Sequence, residues 1–141
     1  MFTITCESTI DLPRAYIQRR KCDVLCYSYF LDNEERVDHM EHTPESLAEF
    51  YVDLEKYKPT TSQLSAETYK KFFTEHLVDG DLLHIAFGSG MSNSVNNAIM
   101  AAKEINATSE HKVTVVDSTC SCVGYGLIVD IALDMRDSGN T

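Results

Sequence analysis

The sequence predicts a single α/β domain, residues 1–141, in which helices cover both faces of a doubly wound parallel sheet. Short strand-like apolar runs alternate with amphipathic helical segments along the chain, as this fold requires. The run Leu82 to Phe87 is apolar except for His84, which is typical of a strand buried on both faces. A length of 141 residues suits one domain of this class.

The first quarter of the chain contains two predicted strands and one short helix. Phe2 to Cys6 is the first strand, and Asp11 is predicted to cap a helix that has Pro13 in its first turn. Asp23 to Leu31, rich in Tyr and Phe, is predicted to be a second extended segment. The polar residues 32–36 that follow are interpreted as a turn within a solvated acidic loop.

Two helices with clear start signals come next. Thr43 is predicted to cap the first, with Pro44 at its first position, and Ser65 is predicted to cap the second. Residues 60–63 lie between them as a hydroxyl-rich loop. Apolar side chains recur at helical spacing in both segments: Leu47, Phe50, Tyr51 and Leu54, then Tyr69, Phe72, Phe73 and Leu77.

The second half of the chain repeats the alternation of strand and helix. After the strand from Leu82, residues 88–90 (Gly-Ser-Gly) break the pattern, and Ser92 is predicted to cap a helix. Val113 to Val116 is predicted to be a further buried strand. A helix from about Ser121 to Arg136 completes the domain.

Composition argues against several classes of function. The formal charge of −10 disfavours binding to nucleic acid and to anionic membrane surfaces, which attract clustered Lys and Arg. No apolar run reaches transmembrane length and the first residues do not resemble a signal peptide, so we expect a cytoplasmic protein without membrane insertion. The five cysteines form no Cys-x-x-Cys pair, so neither a zinc site nor a disulfide framework is predicted.

Hydroxyl-rich segments follow the predicted strands, at the edge where ligands of open parallel sheets bind. Residues 7–9, 89–94 and 117–119 are expected at this edge, and the loop before Ser65 is expected to fold over it. Because Ser92 starts a helix, free N–H groups and the helix dipole favour an anion there. The hydroxyls of Thr61 and Ser92 are therefore candidate donors to a carboxylate or a phosphate.

Two other interpretations of these segments remain open. Serine and threonine at helix starts and turns serve most often as caps and turn formers, with no ligand involved. The spacing Gly88-x-Gly90-x-x-Asn93 after a strand, with Asp117 ending the next strand, partly matches a dinucleotide-binding fingerprint in which glycines admit the ligand. Asn93 replaces the third glycine of that fingerprint, and the sequence has no Gly-x-Ser-x-Gly hydrolase motif.

Four segments together resemble the DegV family. Residues 6–13, Cys-Glu-Ser-Thr-Ile-Asp-Leu-Pro, are similar to the family's opening T-D-S-T-x-D-L-P, and residues 58–65 are similar to its P-T-T-S-Q-P-S segment. Residues 89–94 resemble S-G-L-S-G-T, with Asn93 in place of Gly. Residues 115–126 resemble V-x-D-S-x-x-x-S-x-G-x-G. The segments occur in family order and span nearly the whole chain.

The resemblance implies the N-terminal α/β domain of a protein that binds a long-chain fatty acid, without catalysis and without a cofactor. In the family, the carboxylate is held by the Thr of the T-T-S segment and by the second Ser of S-G-L-S-G-T. These residues correspond to Thr61 and Ser92 in this sequence. Ser62 and Asn93 are included as neighbouring ligand-binding residues.

The resemblance also implies partners. Some family members are the binding subunit of a bacterial fatty-acid kinase and present the acid for phosphorylation, so a kinase is an expected partner. Ile10, Met91 and Val95 are candidate contacts for the acyl chain. The second family domain is expected to be absent from this chain, and an exposed acyl groove would then favour homo-oligomers or weaken binding.

Two alternatives to a fatty-acid carrier remain. The chain could be an enzyme or sensor that binds a phosphate-bearing cofactor at the same sheet edge, or an inactive fragment.

Overall fold

The computed structural model describes residues 2–78 and 80–140, so residues 1, 79 and 141 of the predicted domain lie outside the description. The strands are Thr3–Glu7 (β1), Asp23–Leu25 (β2), Ser28–Leu31 (β3), Glu34–Val37 (β4), Thr60–Thr61 (β5), Leu82–Ala86 (β6) and Val113–Asp117 (β7). The α-helices are Arg14–Arg19 (α1), Pro44–Leu54 (α2), Ala66–His76 (α3), Ser94–Asn106 (α4) and Cys122–Asp137 (α5), and a 3-10 helix spans Ser8–Ile10. None of the helices in these ranges combines the length and the apolar character that a membrane span needs.

Four strands form the predicted parallel sheet, in the order β2-β1-β6-β7. Thr5 of β1 is in register with Asp23 on one side and with His84 on the other, and Leu82 of β6 is in register with Val113 of β7. All three pairings are parallel, so the carboxyl ends of the strands meet at one edge of the sheet. The predicted fold class is confirmed.

Helices cover both faces of this sheet and bury two separate apolar layers. One layer joins β1 and β6 to α1 and α5 through Ile4, Ile85, Ile17, Tyr125, Val129 and Leu133. The other joins β6 and β7 to α3 and α4 through Leu82, Val113, Tyr69, Phe73, Ala98 and Ala102. Because burial of one large apolar side chain contributes about 1.5–3 kcal/mol, these layers are the main source of stability.

Residues 28–61 form a second, smaller unit, which we call the antiparallel unit. Its strands have the order β4-β3-β5, and both pairings are antiparallel. Asp32 and Asn33 join β3 to β4 with positive φ angles of 53° and 63°, as a two-residue hairpin turn requires. Helix α2 has no buried residue, although the ring of Phe50 packs edge-on against Tyr29 with centroids 5.7 Å apart.

Three predictions for this part of the chain are wrong. The extended segment 23–31 is two strands, because β2 belongs to the parallel sheet while β3 starts the antiparallel unit. The polar turn 32–36 continues into β4, which pairs with β3 although it is rich in charged side chains. The predicted loop 60–63 begins with the short strand β5. The hairpin turn reverses the chain, and the polar residues after it therefore pair with β3 instead of remaining in a loop.

The predicted helix starts are confirmed where a side chain caps them. Thr43 and Ser46 form a reciprocal capping box at α2: Thr43 Oγ1 accepts from Ser46 N at 3.1 Å, and Thr43 N donates to Ser46 Oγ at 2.9 Å. Ser65 Oγ accepts a backbone hydrogen bond in the first turn of α3. Asp11 does not cap α1, because its left-handed φ of 52° ends the preceding 3-10 helix, and α1 begins after Pro13.

Candidate ligand-binding cleft

A cleft of about 520 Å³ lies where the carboxyl edge of the parallel sheet meets the antiparallel unit. It brings together all four residues predicted to bind a ligand: Thr61, Ser62, Ser92 and Asn93. The other residues that line it are Thr9, Tyr27, Ser28, Tyr29, Asp38, Gln63, Phe87 and Met91. Its volume falls within the range of about 300–1,000 Å³ that is usual for small-molecule sites.

The position of Thr61 in the cleft is fixed by the elements on either side of it. Strand β5 pairs with β3, which places Thr61 opposite Tyr29. Three residues later, Leu64 is bonded to α4: its N–H donates to Ser94 Oγ at 3.1 Å, and its carbonyl accepts from Asn97 Nδ2 at 2.7 Å. These bonds hold the segment between β5 and α3 against the start of α4.

Ser92 lies two residues before α4, and the N-cap residue is Asn93. The prediction that Ser92 caps this helix is therefore wrong. Ser92 Oγ nevertheless accepts from Ser94 N at 3.2 Å, so it satisfies an N–H group of the first turn, and it donates to Ser94 Oγ at 2.9 Å. Asn93 has a φ of −80°, which any residue adopts, so a glycine is not required at this position.

Aromatic rings form an apolar wall next to these hydroxyls. Tyr27 packs edge-on against Phe87, with ring centroids 6.4 Å apart. The Tyr27 N–H donates to Ser8 Oγ at 3.1 Å, and the Tyr27 carbonyl accepts from Asp38 N at 2.8 Å. Both the ring and the backbone of Tyr27 therefore have defined contacts in this wall.

A buried carboxylate anchors this wall to the parallel sheet. Glu7, at the end of β1, is 0% exposed and accepts from Phe87 N at 2.7 Å and from the Tyr69 hydroxyl. His84 Nε2 lies 3.3 Å from the same carboxylate, and His84 Nδ1 lies 2.9 Å from Thr5 Oγ1. Burial, followed by the charge of Glu7, raises the pKa of Tyr69, so this hydroxyl keeps its proton and remains a donor.

The loop at Gly88 and the carboxylate of Asp117 serve the fold. A Cβ atom at Gly88 would lie 2.8 Å from backbone atoms of Thr119 and Cys120, so glycine is needed here for two loops to pack together. Asp117 Oδ1 accepts from Ser89 N at 3.0 Å and from Thr119 N at 2.9 Å. Hydrogen bonds from Ser89 and then from Thr119 lower the pKa of Asp117. The close packing of these two loops accounts for the glycine at position 88, and the approach of a ligand to this position stays a prediction.

The cleft combines an apolar wall with polar side chains, and the described residues that line it include neither lysine nor arginine. Among the described residues that line it, only Asp38 is an aspartate, glutamate, lysine or arginine. Asp38 Oδ1 accepts from Met40 N at 3.0 Å and lies 3.3 Å from His42 Nε2. Positive potential comes from the start of α4, because the first N–H groups of a helix carry a partial positive charge. The site therefore suits a singly charged acid better than a phosphate.

The aromatic wall is not predicted from the sequence, because Tyr27 and Phe87 are indistinguishable there from core residues of the neighbouring strands. Of the three candidate acyl contacts, Met91 lines the cleft. Ile10 and Val95 are buried and do not line it. The roles of the lining residues in binding stay predictions.

The whole chain matches one protein family. The profile of the family described as "Uncharacterised protein, DegV family" covers residues 1–141. The chain belongs to the DegV family. A DegV domain-containing protein of Clostridium perfringens is 30% identical over 145 residues, covering 99% of this chain and 49% of that protein. A fatty acid-binding protein of Thermotoga maritima is 28% identical over 142 residues, covering 98% of this chain and 48% of that protein.

Solved DegV structures share the fold. A fatty-acid-binding DegV family protein from Thermus thermophilus superposes with a TM-score of 0.83 at 29% identity, over 99% of this chain and 49% of its own. A stearic acid-binding protein from Eubacterium ventriosum superposes with a TM-score of 0.83 at 25% identity, over 100% of this chain and 49% of its own. The chain thus spans about half the length of the DegV relatives that it matches.

Proposed function

We propose that this DegV chain binds a long-chain fatty acid through its carboxylate and acts as a non-catalytic carrier. The observation that supports it most strongly is the cleft that gathers Thr61, Ser62, Ser92 and Asn93 beside aromatic rings. The relatives described as fatty-acid-binding, from T. maritima and T. thermophilus, support the same class of ligand. The proposal requires no cofactor and no metal.

Thr61 and Ser92 hold the carboxylate in this proposal, with Ser62 and Asn93 beside them. Hydroxyl groups and the first N–H groups of α4 donate hydrogen bonds without adding a formal charge. A helix start contributes about 0.3–1 kcal/mol to the binding of an anion. Two hydroxyl hydrogen bonds add about 1–3 kcal/mol net.

The acyl chain supplies most of the affinity. Each methylene group removed from water contributes about 0.8 kcal/mol, so a chain of about 16–18 carbons gains on the order of 10 kcal/mol when it is largely buried. Tyr27, Phe87 and Met91 offer apolar surface for the methylenes nearest the headgroup. The chain therefore determines how tightly the ligand binds, and the hydroxyls determine which end occupies the cleft.

The carrier role is inferred from the open side of the cleft. Thr61, Ser62 and Asn93 are exposed, so a carboxylate held by them is accessible to a second protein. We propose a fatty-acid kinase as that protein, because it would supply the phosphorylation chemistry and this chain would need no catalytic residue. Apolar surface of an acyl chain that stays uncovered would favour association of two copies of the chain.

A phosphate-bearing cofactor is not favoured in this cleft. In a dinucleotide site an acidic residue contacts the ribose, but Asp117 is already bonded to the N–H groups of Ser89 and Thr119. The described residues that line the cleft include neither lysine nor arginine to balance the charge of a phosphate.

The proposal is tested by calorimetric titration of the delipidated chain with stearic acid. The double variant Thr61→Ala/Ser92→Ala is expected to bind about tenfold more weakly than the wild type, because two hydrogen bonds to the carboxylate are lost. The matched control Thr108→Ala/Ser109→Ala removes the same two groups after α4, outside the cleft, and should leave the affinity unchanged.

Wild-type affinity in the double variant would reject Thr61 and Ser92 as carboxylate donors while leaving fatty-acid binding intact. A wild-type chain that takes up no stearic acid would reject the proposed function itself.

A further inference from the structure

Two hydroxyl groups in the cleft have no hydrogen-bond partner among the described residues. They are Thr9 Oγ1 and the hydroxyl oxygen of Tyr27; both atoms are buried, and both residues line the cleft. Buried polar atoms in native proteins almost always have a partner, because an unpaired one destabilises the fold. Two such hydroxyls on residues that line one cleft are therefore candidate donors to a ligand that accepts hydrogen bonds.

The Tyr27 hydroxyl is available to such a ligand. It lies close to the hydroxyls of Ser94, Tyr69 and Ser92 without hydrogen-bond geometry to any of them. Burial, followed by the charge of Glu7, raises the pKa of Tyr27, so its proton is retained. The backbone of Tyr27 is bonded on both sides, which keeps this residue at the cleft.

The protons of the neighbouring hydroxyls are already in use. Ser92 donates to Ser94 Oγ at 2.9 Å, and Tyr69 donates to the carboxylate of Glu7. Ser92 must break its bond before it donates to a ligand, whereas Tyr27 breaks none. Thr9 and Tyr27 therefore differ from Ser92 and Tyr69 in that their hydroxyls donate to a carboxylate without giving up an existing hydrogen bond.

We propose that Thr9 and Tyr27 donate hydrogen bonds to the fatty-acid carboxylate, in addition to the donors Thr61 and Ser92. This inference rests on the proposed function of the same cleft. A carboxylate accepts about four hydrogen bonds through its two oxygens, so it can accept from donors in addition to Thr61 and Ser92. Thr9 and Tyr27 follow strands of the parallel sheet while Thr61 belongs to the antiparallel unit, so the headgroup is held between the two parts of the molecule.

Titration of Tyr27→Phe and Thr9→Val with stearic acid tests this inference. Each variant removes one hydroxyl and keeps the shape of the side chain, and each is expected to weaken binding about tenfold, as for a hydrogen bond to a charged group. Methyl stearate should show a smaller loss, because its uncharged ester is a weaker acceptor. The control Tyr51→Phe removes an exposed hydroxyl of α2, outside the cleft, and should bind as the wild type does.

A purely structural role for Tyr27 predicts a different pattern. If its hydroxyl stabilised the fold, Tyr27→Phe would lower the unfolding midpoint of the unliganded chain. We expect that midpoint to stay equal or to rise, because the hydroxyl that is removed has no partner.

Wild-type affinity for stearic acid in both variants would overturn the inference and leave the proposed function standing. Equal losses for stearic acid and methyl stearate would also overturn it, because these hydroxyls would then not recognise the carboxylate. A wild-type chain that binds no stearic acid would remove the proposed function and this inference together.

Discussion

The parallel sheet and the antiparallel unit differ in how much apolar surface they bury. In α5, which covers the sheet, Tyr125, Val129 and Leu133 are fully buried, whereas α2 of the antiparallel unit has no buried residue. Leu47 and Tyr51 of α2 are 40% and 65% exposed. Because apolar burial is the main stabilising contribution, the sheet and its helices set the global stability, and the antiparallel unit opens at a lower cost.

The cleft lies between these two unequal parts. Phe87 and Ser92 come from the side of the parallel sheet, and Tyr29 and Thr61 come from the antiparallel unit. A ligand that contacts both sides must order the less stable one. We therefore expect a bound ligand to protect the antiparallel unit more than the sheet, which is already held by its own core.

The largest expected contrast between the two parts comes from one matched pair of leucine variants. Leu133→Ala in α5 should lower the free energy of unfolding by about 2–5 kcal/mol, because it leaves a cavity in a fully buried layer. Leu47→Ala in α2 should cost less than about 1 kcal/mol, because that side chain is partly exposed. Urea denaturation measures both values, and equal losses would contradict the distinction between the two parts.

Loss of an ion pair should also destabilise the two parts unequally, with smaller effects than the leucine variants. Arg20 joins α1 to α5 through Asp130 and Asp134, both at 2.8 Å, and its side chain is 16% exposed. In the antiparallel unit, Arg36 makes a more exposed pair with Asp53 at 3.1 Å. We expect Arg20→Ala to cost about 1–3 kcal/mol, and Arg36→Ala to cost less, because its ion pair is more exposed to solvent.

Thermal unfolding at low and high salt distinguishes the two ion pairs. The loss in Arg36→Ala should shrink at high salt, while most of the loss in Arg20→Ala should persist. A larger loss for Arg36 than for Arg20 would reverse the expected order of the two parts.

The loss of stability at alkaline pH gives a third contrast between the two parts, because each contains a tyrosine with a raised pKa. Because the pKa of Tyr69 is raised in the folded chain, the folded state holds a proton that the unfolded state loses above its pKa of about 10. The stability from this group is complete below about pH 10 and falls above it, by about 1.4 kcal/mol per pH unit. Tyr69→Phe should make the decline above pH 10 less steep by that amount.

Tyr57 of the antiparallel unit is the comparison for Tyr69. The charge of Asp32 is the first cause that raises the pKa of Tyr57, and this residue is exposed, so salt screens the effect. Tyr57→Phe should therefore change the alkaline decline less than Tyr69→Phe does, most clearly at high salt. An unchanged decline in Tyr69→Phe would contradict the account of the buried network.

The sequence predicts the parallel sheet far better than the antiparallel unit, for a physical reason. Strands buried on both faces, such as β6, have continuous apolar runs, and the helices around them start at capping residues such as Ser65. Strand β4 has no buried residue, and β5 has two residues only, so neither has a hydrophobic pattern to detect. Their pairing depends on the hairpin at Asp32 and Asn33 and on contacts made after folding.

Some residues of the candidate site can likewise be predicted from the sequence, and others only from the structure. Thr61 and Ser92 stand out in the sequence because hydroxyls in strand-end loops and the DegV motifs both indicate them, and the fold brings them into one cleft. Tyr27 does not stand out, because a tyrosine in an extended segment is usually a packing residue. Its unpaired hydroxyl is apparent only in three dimensions. The packing of Gly88 against the Cys120 backbone is likewise apparent only in the structure.

The central claim is that a fatty-acid headgroup occupies the cleft between the two parts of the molecule. Mass spectrometry of lipid extracted from the purified chain, with Thr61→Ala/Ser92→Ala prepared in parallel, tests it most directly. We predict that a long-chain fatty acid co-purifies with the wild type and is depleted in the double variant. A wild-type chain that carries no fatty acid, or that carries a nucleotide in its place, would contradict the claim.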